Sequence, residues 1–237
     1  MKLSLNELHI KCRNAFRGLG FPPGADEDAA FIIGWLEIHR FEGLKHFSCI
    51  CACSKKYAFP ESIEIDNKLT INCSQCCGIA VIPGVFDFIR SAESNSEVDE
   101  VIINHCSKAI FLLPLILKYK DSQFSWRVTG SDSNDTTQID IDTKSKQVFV
   151  NHTNESSSRT VSQIKLQRID ATAFDRLSKG EHWSFETLYE QHKQAIENGI
   201  EVDETQWQVV LDTAKKYLVP ATAESRAKGA GGGDSND

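Results

Sequence analysis

The sequence lacks an apolar segment long enough to cross a membrane. Its longest apolar stretch, "AIFLLPLIL", runs from Ala109 to Leu117 and is interrupted by Pro114, whereas a transmembrane helix needs about 20 residues. The N-terminus, "MKLSLNELHIKC", has neither the apolar region nor the small-residue cleavage site of a signal peptide. We therefore expect a cytoplasmic protein that does not associate with a membrane.

Basic residues are too few to suggest a nucleic-acid-binding surface. The chain has 26 Lys and Arg against 33 Asp and Glu, which gives a net charge of -7, and nucleic-acid-binding domains usually carry a basic face. A small anionic ligand is still compatible with this charge, because one arginine or one helix N-terminus can hold an anion in an acidic protein.

The motifs of several enzyme classes are missing as well. No Gly-x-Gly-x-x-Gly segment joins a predicted strand to a helix, and the sequence has no P-loop and no nucleophile elbow. The "GAGGG" segment follows the last predicted helix, where a dinucleotide-binding loop cannot form. No side chain stands out as a general base, so the sequence leaves open whether the protein is an enzyme.

Eight cysteines are present, and in a cytoplasmic protein they are free thiols or metal ligands rather than disulfides. Cys51 and Cys53 in "CICAC" and Cys73 and Cys76 in "CSQCC" have nearly the spacing of a tetrahedral zinc site. The first pair is one residue shorter than the usual knuckle. The alternative is that these cysteines are small, buried, apolar residues, and both interpretations stay open.

Capping signals predict a pair of helices at each end of the chain. Ser4 and Glu7 form a capping box, and near Asp26 a second helix begins, whose apolar body contains Gly34, a position where a neighbouring backbone can approach closely. Near the C-terminus, Ser184 and Asp203 are the predicted N-caps. The expected apolar face of the helix after Ser184 consists of Phe185, Leu188, Tyr189, His192 and Ile196, with His192 as a core histidine.

Alternating residues predict strands in the middle of the chain. "SIEIDNKLTIN" has the pattern of a strand pair, and residues 101–118 form a buried element whose type the pattern does not settle. Between Phe124 and Asp170, four alternating segments predict an antiparallel meander. Asp140 and Asp142 are expected on the solvent side of a half-buried strand. A short helix is expected after Asp170.

Together these elements predict an α+β fold with an N-terminal helix pair, a central antiparallel sheet and a C-terminal helix pair. We expect one α+β domain over residues 1–222 and a Gly-rich C-terminal tail over residues 223–237.

The tail, "SRAKGAGGGDSND", is the candidate binding segment. Arg226 can hold a carboxylate or phosphate through two parallel hydrogen bonds, and successive glycine amides can point into one anion-binding concavity. The candidate ligand-binding residues are Ser225, Arg226, Gly229 and Gly231. The alternative is a disordered terminus, which is common for Gly-, Ser- and Asp-rich ends.

Three segments resemble an uncharacterised bacterial family, a domain of unknown function common in marine proteobacteria. They are "LSLNELHIKCRNAFRGLGFPPGADEDAAFIIGWLEIHRFEGL", "CCGIAVIPGVFDF" and the C-terminal "VDETQW" with "LVPATAESRAKGAGGGDSND". The family C-terminus resembles Ser-Arg-x-x-Gly-Ala-Gly followed by Asp-Asn-Asp, whereas Gly233 and Asp234 stand where Leu-Thr is expected. The resemblance supplies no activity, but it implies that the tail is a recurring feature.

The first 45 residues also resemble the N-terminal helices of the malate/L-lactate dehydrogenase family, which does not use a Rossmann domain. That family has an Arg-Gly-His-x-Ser-His-Gly-like stretch after its second helix. The corresponding "HRFEGLKHF" here lacks the paired catalytic histidines, and the chain is too short for that family.

The sequence leads to one hypothesis and two alternatives. The first is a cytoplasmic protein of small-molecule metabolism that binds a small anionic metabolite with its C-terminal Arg/Gly segment. The second is an accessory partner of a metabolic enzyme that docks through the same tail. The third is a zinc-stabilised module.

Overall fold

A computed structural model describes residues 1–52, 62–65, 69–73, 77–93, 100–106, 108–118, 125–131, 136–153, 162–169 and 180–217. The predicted short helix after Asp170 and the candidate tail lie outside these residues.

The N-terminal helix pair is confirmed, and a third helix follows it. The helices are α1 (Leu5–Gly18), α2 (Ala25–Ile38) and α3 (Gly43–Ala52). The Ser4 hydroxyl accepts a hydrogen bond from the Glu7 amide at 3.1 Å, as the capping box predicts. The connection between α1 and α2 uses Gly20 and Gly24, both with positive φ, which glycine adopts without steric cost.

The C-terminal helix pair is also confirmed. A short strand β9 (Glu181–Ser184) leads into α6 (Phe185–Asn198), and β10 (Ile200–Glu201) precedes α7 (Glu204–Lys215). Strand β10 pairs with β1 (Lys2–Leu3). Helix α7 lies against α1 so closely that a Cβ atom on Gly18 would be 2.3 Å from the Thr213 carbonyl oxygen. Gly18 therefore permits this helix contact and does not merely end α1.

The larger sheet has eight strands in the part of the chain that the structure describes. Besides β9, they are β2 (Ser62–Ile65), β3 (Leu69–Asn72), β4 (Glu100–Asn104), β5 (Ser125–Ser131), β6 (Thr136–Asp142), β7 (Gln147–Thr153) and β8 (Gln163–Ile169). Their order is β2-β3-β4-β8-β5-β6-β7-β9. The β3–β4 pair is parallel and the other pairs are antiparallel. The predicted central sheet is therefore confirmed, and it is antiparallel except for this one pair.

The predicted meander of four strands is only partly right. Strands β5, β6 and β7 follow one another as hairpins, but β8 returns to pair with β5 instead of β7. The order β8-β5-β6-β7 is that of a Greek key. Alternation marks each strand but carries no information on which neighbour a strand chooses.

The described residues between 101 and 118 form three elements, which explains why no single period fits this part of the sequence. Strand β4 is followed by a short 3₁₀ turn (Ala109–Phe111) and by α5 (Leu112–Lys118). Helix α4 (Gly78–Glu93) comes before β4. None of the described helices is long and apolar enough to cross a membrane.

Strand β6 is buried on both faces at its C-terminal end, so the expected half-buried strand is wrong there. Asp140 is fully buried and Asp142 is 8% exposed, between the buried Ile139 and Ile141. Asp140 accepts two hydrogen bonds from Arg127, at 2.8 and 2.9 Å. Asp142 accepts from the amides of Lys144 and Ser145 and from the hydroxyls of Ser125 and Ser145. Both carboxylates are structural.

Candidate functional site

Two adjoining cavities lie between the helices on one side of the molecule, and together we call them the helical groove. The larger has a volume of about 540 Å³ and the smaller about 260 Å³. Phe31, Trp35 and His192 line both of them. The larger cavity is completed by Ser4, Leu5, Asn6, Leu8, His9, Gly34, Ile38 and Ile196. The smaller is completed by His39, Pro114, Leu117, Lys118, Phe185, Leu188 and Tyr189.

Helix α2 supplies the floor of the groove. Phe31, Gly34, Trp35 and Ile38 recur at the three- and four-residue spacing that places side chains on one helix face. Gly34 was expected to admit a neighbouring backbone, and the structure corrects this. The nearest atom to a Cβ built on Gly34 is the Leu8 side chain at 3.9 Å. The missing side chain therefore widens the larger cavity.

His39 links α2 to α6 at the edge of the smaller cavity. Its Nδ1 lies 3.0 Å from Oε1 of Gln191, and its ring packs on Trp35 with a centroid separation of 4.0 Å. The ring of His192 lies 6.2 Å away and nearly parallel. Burial, and secondarily the neighbouring His192, lowers the pKa of His39 to about 4, although the Gln191 hydrogen bond opposes the shift. His39 is therefore neutral near pH 7.

Lys118 brings a positive charge to the smaller cavity. Its Nζ lies 5.0 Å from the centroid of the Phe31 ring, which is within the range of a cation–π interaction. Burial raises the pKa of Asp28, and the nearby Lys118 opposes that shift. The smaller cavity thus contains an ammonium group beside the ring of Phe31, a residue that lines both cavities.

The apolar face predicted for α6 is only partly covered. Leu188 is buried, and Phe185 and His192 are half-buried. Tyr189 and Ile196, however, are 65% and 62% exposed. The prediction of a core face is wrong for these two residues, because the groove separates this side of α6 from α1 and α2.

The stretch after α2 that corresponds to the dehydrogenase motif forms a tight turn. Arg40 and Glu42 have φ values of 64° and 51°, a left-handed conformation that is uncommon outside glycine. The Glu37 carboxylate accepts a hydrogen bond from the Leu44 amide at 2.9 Å and so caps α3. His46 packs edge-on against Phe111, and burial, with Lys108 nearby, lowers its pKa to about 4. These contacts are structural.

The zinc hypothesis is tested only in part, because Cys53 and Cys76 lie outside the described residues. Cys73 is buried, and the half-buried Cys51 has its Sγ 3.7 Å from the Thr213 hydroxyl. Within the described ranges, no group of three or more His, Cys, Asp or Glu side chains is arranged to hold a metal ion.

The residues predicted for anion binding, Ser225, Arg226, Gly229 and Gly231, also lie outside the described part of the chain. The groove residues were not singled out as a site by the sequence. A signal for Phe31 and Trp35 existed in their helical spacing, but that spacing is equally typical of core residues. Lys118 is distant in sequence from Phe31 and Trp35, and no sequence pattern marks it as part of a site.

Residues 3–72 match the family described as "Protein of unknown function (DUF3726)". This match confirms the resemblance to an uncharacterised domain family for the N-terminal part of the chain. The matched range does not include the C-terminal motif. No curated protein matches the chain in sequence.

Several solved dehydrogenases share the fold. A dehydrogenase from Sinorhizobium meliloti superposes with a TM-score of 0.66 at 9% identity, over 90% of this chain and 99% of that one. Malate dehydrogenase from Pyrococcus horikoshii gives 0.63 at 9% identity, over 94% and 97%. Sulfolactate dehydrogenase from Methanocaldococcus jannaschii gives 0.61 at 8% identity, over 92% and 97%. The likeness thus extends far beyond the first 45 residues, and at these identities it concerns the fold alone.

Proposed function

We propose that the protein serves small-molecule metabolism by binding an anionic metabolite in the helical groove. The observation that carries this proposal is that Phe31, Trp35 and His192 line both cavities, with the Lys118 ammonium in the smaller one, 5.0 Å from the centroid of the Phe31 ring. The similar solved structures are described as dehydrogenases, which favours a metabolic role but not a particular reaction.

The size of the groove suits a small molecule. Ligand-binding cavities usually measure about 300–1,000 Å³ and combine apolar walls with a few polar groups. The larger cavity, about 540 Å³, lies within this range, and the smaller, about 260 Å³, extends it. The aromatic rings of Phe31 and Trp35 offer flat contact surfaces.

Of the two histidines that line the smaller cavity, His39 favours binding over proton transfer. A general base works best with a pKa near the working pH, whereas the pKa of His39 is lowered to about 4. A neutral ring whose Nδ1 faces Gln191 can orient a ligand as a hydrogen-bonding group. We therefore propose a binding role for this residue.

The proposal keeps the C-terminal segment as a second contact with the anion. Tyr217 accepts a hydrogen bond from Arg17 at the C-terminal end of α1, and the groove lies at the opposite end of that 14-residue helix, about 20 Å away at 1.5 Å per residue. Residues 217 to 226 can span at most about 30 Å when extended. Arg226 is therefore within reach of the groove.

Calorimetric titration of the purified protein with lactate, malate, hexanoate, phenylacetate and inorganic phosphate tests the proposal. We expect at least one acid to bind wild type, and Lys118→Gln to weaken that binding about tenfold or more. Lys45→Gln, which removes an exposed lysine on α3, is the matched control. Loss of affinity on deletion of residues 223–237 would support the contact with the tail. Equal affinity in wild type and Lys118→Gln would contradict the groove as the site.

The alternative is an accessory protein that docks onto a metabolic enzyme through its tail. The exposure of Tyr189 and Ile196 on α6 favours some partner surface. A pull-down with and without residues 223–237 distinguishes docking from ligand binding. Docking would be favoured if an enzyme co-purifies in stoichiometric amount only when the tail is present and if the protein binds none of the acids in the titration.

A further inference from the structure

We infer that the ligand is an amphipathic acid whose apolar ring or chain occupies the larger cavity, and that Gly34 sets how much of that group fits. The inference rests on the proposed function of the groove. It names the chemical class of the ligand and assigns a size-determining role to a residue without a side chain.

The two cavities differ in the character of their walls. Leu5, Leu8, Ile38 and Ile196 contribute aliphatic side chains to the larger cavity. The smaller cavity holds Lys118, the hydrogen-bonded His39 and the exposed Tyr189. An acid group belongs beside the ammonium, because an unpaired carboxylate in an apolar cavity loses its hydration without compensation. The apolar part of the same molecule then extends past Phe31 and Trp35.

Gly34 lies in the floor of the larger cavity, in the middle of α2. Its backbone is ordinary helix, and a Cβ atom there would make normal contact with Leu8 at 3.9 Å. The packing therefore does not require glycine at this position. Glycine also destabilises a helix interior relative to alanine, so its presence here calls for another explanation, and the space it leaves in the cavity provides one. A side chain larger than methyl would extend into the space that an apolar group occupies.

A chain-length series measures the effect directly. Acetate, butyrate, hexanoate and octanoate are titrated calorimetrically into wild type, Gly34→Leu and Gly84→Leu. Gly84 is an exposed glycine of α4 with nothing near its Cβ position, so its substitution controls for the general effect of leucine in a helix. We expect wild type and Gly84→Leu to gain up to about fourfold in affinity for each added methylene. Gly34→Leu should lose this gain for the longer acids.

The outcomes distinguish the inference from the function on which it rests. Tight binding of acetate with no gain along the series would overturn the amphipathic ligand class and leave the anion site standing. An unchanged gain in Gly34→Leu would overturn the role of Gly34. No binding of any acid would overturn the proposed function itself. If Gly34→Leu does not fold, as judged by circular dichroism, Gly34→Val replaces it, and the gain should again be lost for the longer acids.

Discussion

The Nδ1 atom of His39 lies 3.0 Å from Oε1 of Gln191, and this contact joins the C-terminal end of α2 to α6 across the groove. The histidine is only 2% exposed. A protonated ring at this position would lose most of its hydration, which is why its pKa falls from the ordinary 6.5 to about 4.

The first prediction concerns stability in acid. Between about pH 6.5 and pH 4 the unfolded chain binds a proton at this histidine and the folded chain does not, so the free energy of unfolding falls as the pH falls. Between pH 6.5 and pH 4, His39 lowers the free energy of unfolding by about 3 kcal/mol. Urea denaturation at several pH values should show a shallower decline for His39→Gln than for wild type. His46 has a similarly lowered pKa, so part of the decline remains, and a slope unchanged in His39→Gln would contradict the assignment.

The second prediction contrasts two helical glycines. A Cβ atom on Gly43 would lie 2.2 Å from the Ile33 carbonyl oxygen and 2.7 Å from the Glu37 amide nitrogen. Because these are backbone atoms, Gly43→Ala should lower the free energy of unfolding by about 3 kcal/mol. Gly34→Ala has room for its methyl group and should raise it by up to about 1 kcal/mol. Thermal and urea unfolding measure the stability of both variants. Equal changes in the free energy of unfolding for Gly43→Ala and Gly34→Ala would show that α3 does not pack on α2 as closely as described.

The third prediction concerns the buried carboxylate in β6. Arg127→Met removes the bidentate partner of Asp140 and leaves the Gln138 amide as the described donor to that carboxylate. Leaving a buried charge uncompensated costs about 3–5 kcal/mol. Because Arg127 is partly exposed, we expect Arg127→Met to lower the free energy of unfolding by an amount near the lower figure. The double variant Arg127→Met/Asp140→Asn should recover part of it. A double variant less stable than the single one would contradict the electrostatic explanation.

Local signals in the sequence were sufficient for the helix starts. Ser4, Ser184 and Asp203 each accept a hydrogen bond from the amide three residues later, as their capping positions predict. Such signals work because a cap depends on a few neighbouring residues and not on the rest of the fold. The same locality explains why the individual strands β5 to β8 were found.

Properties that depend on distant residues were not accessible in this way. The return of β8 to β5 depends on strand pairing across the sheet, and the burial of Asp140 depends on Arg127 in the neighbouring strand. The groove depends on Lys118 of α5 meeting Phe31 of α2. Apolar periodicity placed Tyr189 and Ile196 on a core-facing side of α6, but only the arrangement of α1, α2 and α6 decides whether that side is covered.

The last prediction separates the two C-terminal helices by their packing. Asp203 caps α7, whose Trp207, Val210 and Ala214 are buried against the core. Ser184 caps α6, which buries only Leu188 and Ala195 among its residues. Loss of a cap costs about 1 kcal/mol. Asp203→Ala should therefore lower global stability by about that amount in urea, because α7 unfolds together with the core.

Ser184→Ala should instead act locally. A helix with few buried contacts opens at a lower free energy than the whole domain, so the variant should speed amide hydrogen exchange in α6 about fivefold and leave the urea midpoint almost unchanged. Asp203→Asn and Ser184→Thr keep the capping oxygen and serve as controls. If both alanine variants shift the urea midpoint equally, α6 is held as firmly as α7, and the groove is bounded by a rigid wall rather than by a helix that opens on its own.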